Sequence, residues 1–152
     1  METIDPGKVA SVWQRVHPEA GHMTNTSGLS ELIAQQLSAA LAYSQLSRQF
    51  RGTAAQILGR LQEEKRTQAA CLKGIYRLMN DTLPNIKVSP EPQRNPETAL
   101  RRCYLTEQQS LMQYRKHSTD PEFGAVFSQL ANRELELLLL ILELLGNLNI
   151  AK

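Results

Sequence analysis

The sequence predicts an all-α protein, a four-helix bundle made of two helix hairpins joined by one long connection. Three observations point to it. Apolar residues recur at spacings of three and four along four segments, and no segment alternates with period two. Leu, Ala and Gln are plentiful, a helix-favouring mix. A proline-rich stretch, Asp81 to Asn95, divides the four segments into two pairs. At 152 residues the chain is the size of one domain, enough to bury a core.

Residues 1–27 read as an N-terminal segment, with a short helix over Lys8 to Val16 that puts Val9, Val12, Trp13 and Val16 on one side. Trp13 reads as a packing anchor. Pro18 and Gly21 break this helix, and a loop follows. The bundle spans 28–146. Its first helix runs from about Gly28 to Phe50, with Leu29, Leu32, Ile33, Leu37, Ala40, Leu41 and Ser44 on one face. Gly52 ends it, and Thr53-Ala-Ala-Gln56 has the form of a capping box that opens the second helix. That helix continues through Ile57, Leu58, Leu61, Leu72, Ile75 and Leu78 to about Asn80. The short link predicts an antiparallel hairpin.

The connector 81–95 holds Pro84, Pro90 and Pro92 and is long enough to cross the length of a bundle. Asn95-Pro96, a cap residue followed by proline, starts the third helix, which runs to about His117. Asp120-Pro121 repeats the device for the fourth, which runs to Leu145 with Gly146 as its stop; 147–152 is a tail.

Composition narrows function. Net charge is +2, too balanced to argue for nucleic acid or a membrane surface. Aromatics make up 5% and do not interleave with basic residues as single-strand binding requires. Leu135 to Leu145 is very apolar, yet it is short and contains Glu136 and Glu143, whereas a membrane helix needs roughly 20 apolar residues. Cys71 and Cys103 form no CxxC and read as buried thiols of a reducing cytosol. The N-terminus shows no signal-peptide pattern, so a cytoplasmic location is expected.

The two hairpins share a spacing. Gln36 precedes Tyr43 by seven residues, and Glu107 precedes Tyr114 by seven. Glu64 precedes Thr67 by three, and Glu134 precedes Leu137 by three. Seven residues is two helical turns, so each tyrosine shares a face with the polar residue before it. In these segments, AQQLSAALAYSQL, LQEEKRTQAACL, YLTEQQSLMQYRK and LANRELELLLL, the chain resembles the ferritin-like superfamily, and within it the rubrerythrin-type bundles, over about 28–146. The resemblance implies a Glu-x6-Tyr, Glu-x-x-His pattern repeated twice, holding two iron or manganese ions between the helices. Here Gln36 stands in the first glutamate position, and Thr67 and Leu137 stand in the two histidine positions. Glu64, Glu107, Glu134 and both tyrosines remain. The chain also lacks the CxxC pair that rubrerythrins use for a second iron centre.

This donor set leaves three chemistries. Two redox-active metal ions would need imidazole as well as carboxylate donors. A single hard divalent cation would accept Glu64, Glu107, Glu134 and Gln36 with waters. A metal-free polar core would need a proton or an internal cation to offset converging carboxylates. Arg60, one turn before Glu64, is the candidate cation; Tyr43, Tyr114, Gln36 and Thr67 supply donors. Glu63, Lys65 and Arg66 read as a solvated face. His17, His22 and His117 share no ligand spacing, and His117 suits a helix C-terminus. No nucleophile–base constellation and no phosphate loop is present.

The expected function is therefore that of a ferritin-like bundle with a degenerate di-metal site, without cofactor or catalysis, serving as a structural or interaction module. The alternative is a rubrerythrin-like metalloprotein with peroxide or oxygen chemistry, an oxidoreductase, using iron, manganese or one hard cation. Leucines surround the fourth helix rather than stripe it, so a homodimer through Leu135, Leu139 and Leu142 is expected.

Overall fold

The computed structural model describes residues 26–92 and 95–150; among them the chain is all-helical, with four helices and no strand. The helices are α1 (Thr26–Ser47), α2 (Thr53–Asn80), α3 (Pro96–His117) and α4 (Gly124–Ile150). The expected helix around Trp13 lies outside the described residues. No helix among them is long and apolar enough to cross a membrane.

The helix ends show which local signals acted. Asn95 caps α3: its side chain accepts the Glu97 N–H at 3.0 Å, and Pro96 fills the first position. Glu97 in the first turn and Arg115, Lys116 and His117 in the last suit the helix dipole. The Thr53 capping box does not form. Gly52 occupies the cap position at φ 65°, and no side chain caps α2. That backbone region favours glycine, so Gly52 opens the helix by its conformation. Asp81 closes α2 in the left-handed conformation, its N–H donating to Arg77 O at 2.8 Å. Asp120 Oδ1 accepts the N–H groups of Glu122 and Phe123 at 2.8 and 2.9 Å, making a turn that leads into α4. Gly146 does not stop α4, which continues to Ile150. A glycine ends a helix by taking positive φ, and among the described glycines only Gly52 does so.

α1 packs chiefly on α2 and α3 chiefly on α4, with further contacts of α1 with α3 and α2 with α4. The core comprises two apolar clusters. One gathers Leu29 and Ile33, Leu72 and Ile75, Tyr114, and Phe127 and Leu130. The other gathers Tyr43 and Leu46, Leu58 and Leu61, Leu100, and Ile141 and Leu144. Along α1 and α4 the first cluster precedes the second; along α2 and α3 the order is reversed. Where each helix passes from one cluster to the other it buries polar residues: Gln36 on α1, Lys65 and Gln68 on α2, Glu107 and Ser110 on α3, Glu134 on α4.

Two faces differ from the sequence reading. On α1 the buried face runs through Leu29, Leu32, Ile33, Gln36, Ala39, Ala40, Tyr43 and Leu46, while Leu37, Leu41 and Ser44 are half-buried. On α2 Leu78 points outward, and the buried line is Leu58, Leu61, Lys65, Gln68, Leu72 and Ile75.

Candidate functional site

The polar layer centres on Lys65, whose side chain is 0% exposed. The residue expected on a solvated face is thus the most enclosed cation of the described chain. Its Nζ donates to Gln36 Oε1 at 2.8 Å and to Gln68 Oε1 at 3.2 Å. It forms ion pairs with Glu107 Oε2 at 2.5 Å and with Glu134 Oε1. Four oxygens from four helices' worth of core positions therefore meet one ammonium: Gln36 from α1, Gln68 from α2, Glu107 from α3 and Glu134 from α4.

The layer extends outward through neutral donors. Gln36 Nε2 donates to Ser110 Oγ at 3.1 Å, and the Tyr114 hydroxyl donates to Gln68 Oε1 at 2.8 Å. Gln68 Nε2 reaches Glu64 Oε1 at 3.4 Å. Tyr43 is fully buried with its hydroxyl beside the Glu107 carboxylate.

Isolated charges in an apolar core are costly, so the ammonium holds its place only because its partners are anionic or carbonyl oxygens. Two carboxyl groups and one ammonium leave one charge to offset, and a proton offsets it. The Glu107–Glu134 pair shares that proton: burial, then the hydrogen bond to Glu107 and the Glu107 charge, push the Glu134 carboxyl up to about 9 against the pull of Lys65. The same enclosure raises the tyrosine hydroxyls. Burial and then the carboxylates, Glu107 first for Tyr43 and Glu134 first for Tyr114, lift both well above the ordinary phenol value. The Cys103 thiol rises to about 12, mainly by burial and then by Glu107.

The remaining expected site residues are elsewhere. Glu64 is half-buried at the margin of the layer, paired with Arg133 Nε at 3.4 Å. Thr67 is exposed, and its hydroxyl donates back to Glu63 O at 3.0 Å. Arg60 is exposed and is not the inward cation. Leu137 is buried within the second apolar cluster. Of the four expected ligands, Gln36, Glu107 and Glu134 converge and Glu64 does not. Lys65, Gln68 and Ser110 were missed, although Leu58, Leu61, Leu72 and Ile75 set a three-and-four spacing that runs through 65 and 68.

The residues present do not fit a di-metal centre. The lysine ammonium takes up the oxygens that a cation would need, and among the described residues no histidine is hydrogen-bonded or ion-paired to the layer. Among the described residues no group of three or more His, Cys, Asp or Glu side chains is placed to hold a metal ion. Cys71 is half-buried and Cys103 buried, both as free thiols. Compared with known proteins, the chain matches no family model, no curated protein and no solved structure.

Proposed function

We propose that this chain is a ferritin-like bundle in which a lysine ammonium stands where relatives of that fold would hold metal, and that it serves as a non-catalytic structural or interaction module. The observation that carries the reading is Lys65 Nζ, enclosed by Gln36, Gln68, Glu107 and Glu134. The reversed cluster order supports the topology. α1 and α4 run one way along the core and α2 and α3 the other, so the connector 81–95 must travel the length of the bundle.

The repeat then has a different register on the second helix. Its inward pair is Lys65-x-x-Gln68, in place of Glu64-x-x-Thr67. The layer becomes Gln36 with Tyr43, Lys65 with Gln68, Glu107 with Tyr114, and Glu134 with Leu137. Each hairpin contributes the same positions, and the lysine of one faces the glutamate of the other. A carboxylate and an imidazole have been replaced by an ammonium and a carboxamide, which satisfies the opposing carboxyls without an external ion.

A partner surface accompanies the reading. Leu135, Leu139 and Leu142 are exposed by 41%, 67% and 46% and share one stripe of α4, a face suited to a second copy.

Metal analysis with thermal unfolding tests the reading. Protein purified without a chelating tag, from cells grown with added iron and manganese, is expected to carry only traces of metal and to melt at the same temperature with and without chelator. Stoichiometric metal whose removal lowers the melting temperature would replace it with the metalloprotein reading.

A further inference from the structure

The exposed leucine stripe of α4 is one half of a larger apolar face. Leu105 and Met112 of α3 are also more than half exposed. Helix rotation places these five side chains together. Arg133 pairs with Glu64 of α2 and so marks the side of α4 that faces α2. Leu135 and Leu142 follow Arg133 by two and nine residues, rotations of about 200° and 180°, and lie on the opposite side, toward α3. Cys103 and Thr106 line a cleft between α1 and α3 and mark the α1 side of α3. Leu105 is rotated about 200° from Cys103, and Met112 about 240° from Thr106, so both turn away from α1 toward α4. The charges around this face are segregated by sign. α3 carries Arg101, Arg115 and Lys116 at exposed positions, whereas α4 carries Glu136 and Glu143, with Glu122 just ahead of it.

We propose that a second copy covers this face with α3 of each protomer lying across α4 of the other, the two-fold axis running along the bundle. The proposal rests on the α4 stripe being a surface for a second copy, and it fixes how that copy sits. Area requires both helices. A face about 33 Å long and two helices wide offers roughly 600 Å² per protomer, at the low end of specific interfaces, and the α4 stripe alone offers about half of that. Charge selects the arrangement. Glu107 and Glu134 meet the same ammonium, so α3 and α4 are level there. Arg101 precedes Glu107 by six residues and Leu140 follows Glu134 by six, which sets Arg101 level with Leu140, between Glu136 and Glu143. Arg115 and Lys116 stand level with the start of α4, near Glu122. A two-fold along the bundle keeps these heights and sets α3 of one copy over α4 of the other, so the basic residues meet the glutamates. A two-fold across the bundle would lay α4 on α4 and bring Glu136 and Glu143 of the two copies together, where like charges repel. Arg101 pairs with Glu97 of its own helix at 3.2 Å, and its side chain is exposed enough to donate to a second carboxylate.

Sedimentation of the whole chain tests the arrangement, with thermal melts confirming that each surface variant is folded. The parent is expected to dimerise with a dissociation constant of about 1–10 µM that weakens with added salt. Leu105→Lys should dissociate the dimer as Leu139→Lys does. Arg101→Glu alone, and Glu136→Arg together with Glu143→Arg, should each weaken self-association about tenfold or more. Mixing those two proteins should give heterodimers, because both sets of contacts then join opposite charges. The chain carrying all three changes should recover self-association, and its failure to do so would overturn the pairing. A dimer broken by Leu139→Lys but indifferent to Leu105→Lys and Arg101→Glu would overturn this arrangement and leave the α4 surface reading standing. A parent chain that stays monomeric at about 100 µM would overturn both and leave the face to residues 1–25 or to another protein.

Discussion

Lys65 is the residue on which the molecule turns, and it is disguised by its neighbours. Glu63, Glu64 and Arg66 make the segment look like a solvated charge run, and Arg66 does pair with Glu63 on the surface. The step of one residue between Glu64 and Lys65 is about 100° of helix rotation, enough to exchange surface for core. The apolar phase of α2 assigned the core position to Lys65, while the resemblance to a Glu-x-x-His pair drew attention to Glu64 and Thr67. On the other helices the resemblance and the phase agreed, and Gln36, Glu107, Glu134, Tyr43 and Tyr114 were legible. Removing the ammonium alone should be severe. Lys65→Met is expected to cost about 3–5 kcal/mol in denaturant unfolding, because two buried carboxyls lose their common partner. Replacing the whole ionic set by Lys65→Met, Glu107→Leu and Glu134→Leu should recover most of that loss or exceed the parent stability by about 1–4 kcal/mol. If the triple variant is no more stable than the single one, the layer is not held by charge pairing.

At the scale of elements, the Asn95-Pro96 and Gly52 signals were dependable, whereas Asp120-Pro121 makes a turn ahead of α4, which starts at Gly124, and Gly146 is no stop. Asn95-Pro96 started α3 as expected because the cap acts through a side chain that sequence names directly. Gly146 was read as a stop, yet nothing there demands positive φ, and the leucines on either side keep the helix going. Gly124 is needed for a different reason, which sequence alone does not reveal. A Cβ at that position would lie 2.4 Å from Ser118 O, where the turn from α3 doubles back. Gly124→Ala should therefore destabilise by about 1–3 kcal/mol, since backbone rather than a mobile side chain must move. Asn95→Ala should cost about 1 kcal/mol through loss of the cap. Thermal or denaturant melts of the two variants check both, and a neutral Gly124→Ala would mean that the turn relaxes freely.

Over the whole molecule, the four helices and the long connector were legible because periodicity and proline placement are local. The ionic layer was not, because it exists only where four helices meet. It also makes stability depend on pH in an unusual direction. The Glu134 carboxyl rises from an ordinary value near 4.5 in the unfolded chain to about 9 in the fold, so between those values the folded state binds the extra proton. Its contribution is complete below the unfolded value and is lost as pH rises through the folded one. Stability should fall from about pH 5 to pH 9, and Glu134→Gln should flatten that slope; a slope unchanged in the variant would assign it to another group. The exposed leucine stripe of α4 gives the expectation of a dimer, which sedimentation should show and Leu139→Lys should dissociate. The central claim, that Lys65 is an internal cation sealed in the core, is tested most directly by side-chain ¹⁵N nuclear magnetic resonance of the metal-free protein at neutral pH. A protected lysine ammonium resonance, absent in Lys65→Met and shifted in Glu134→Gln, is the predicted result. Fast solvent exchange of every lysine ammonium would contradict it.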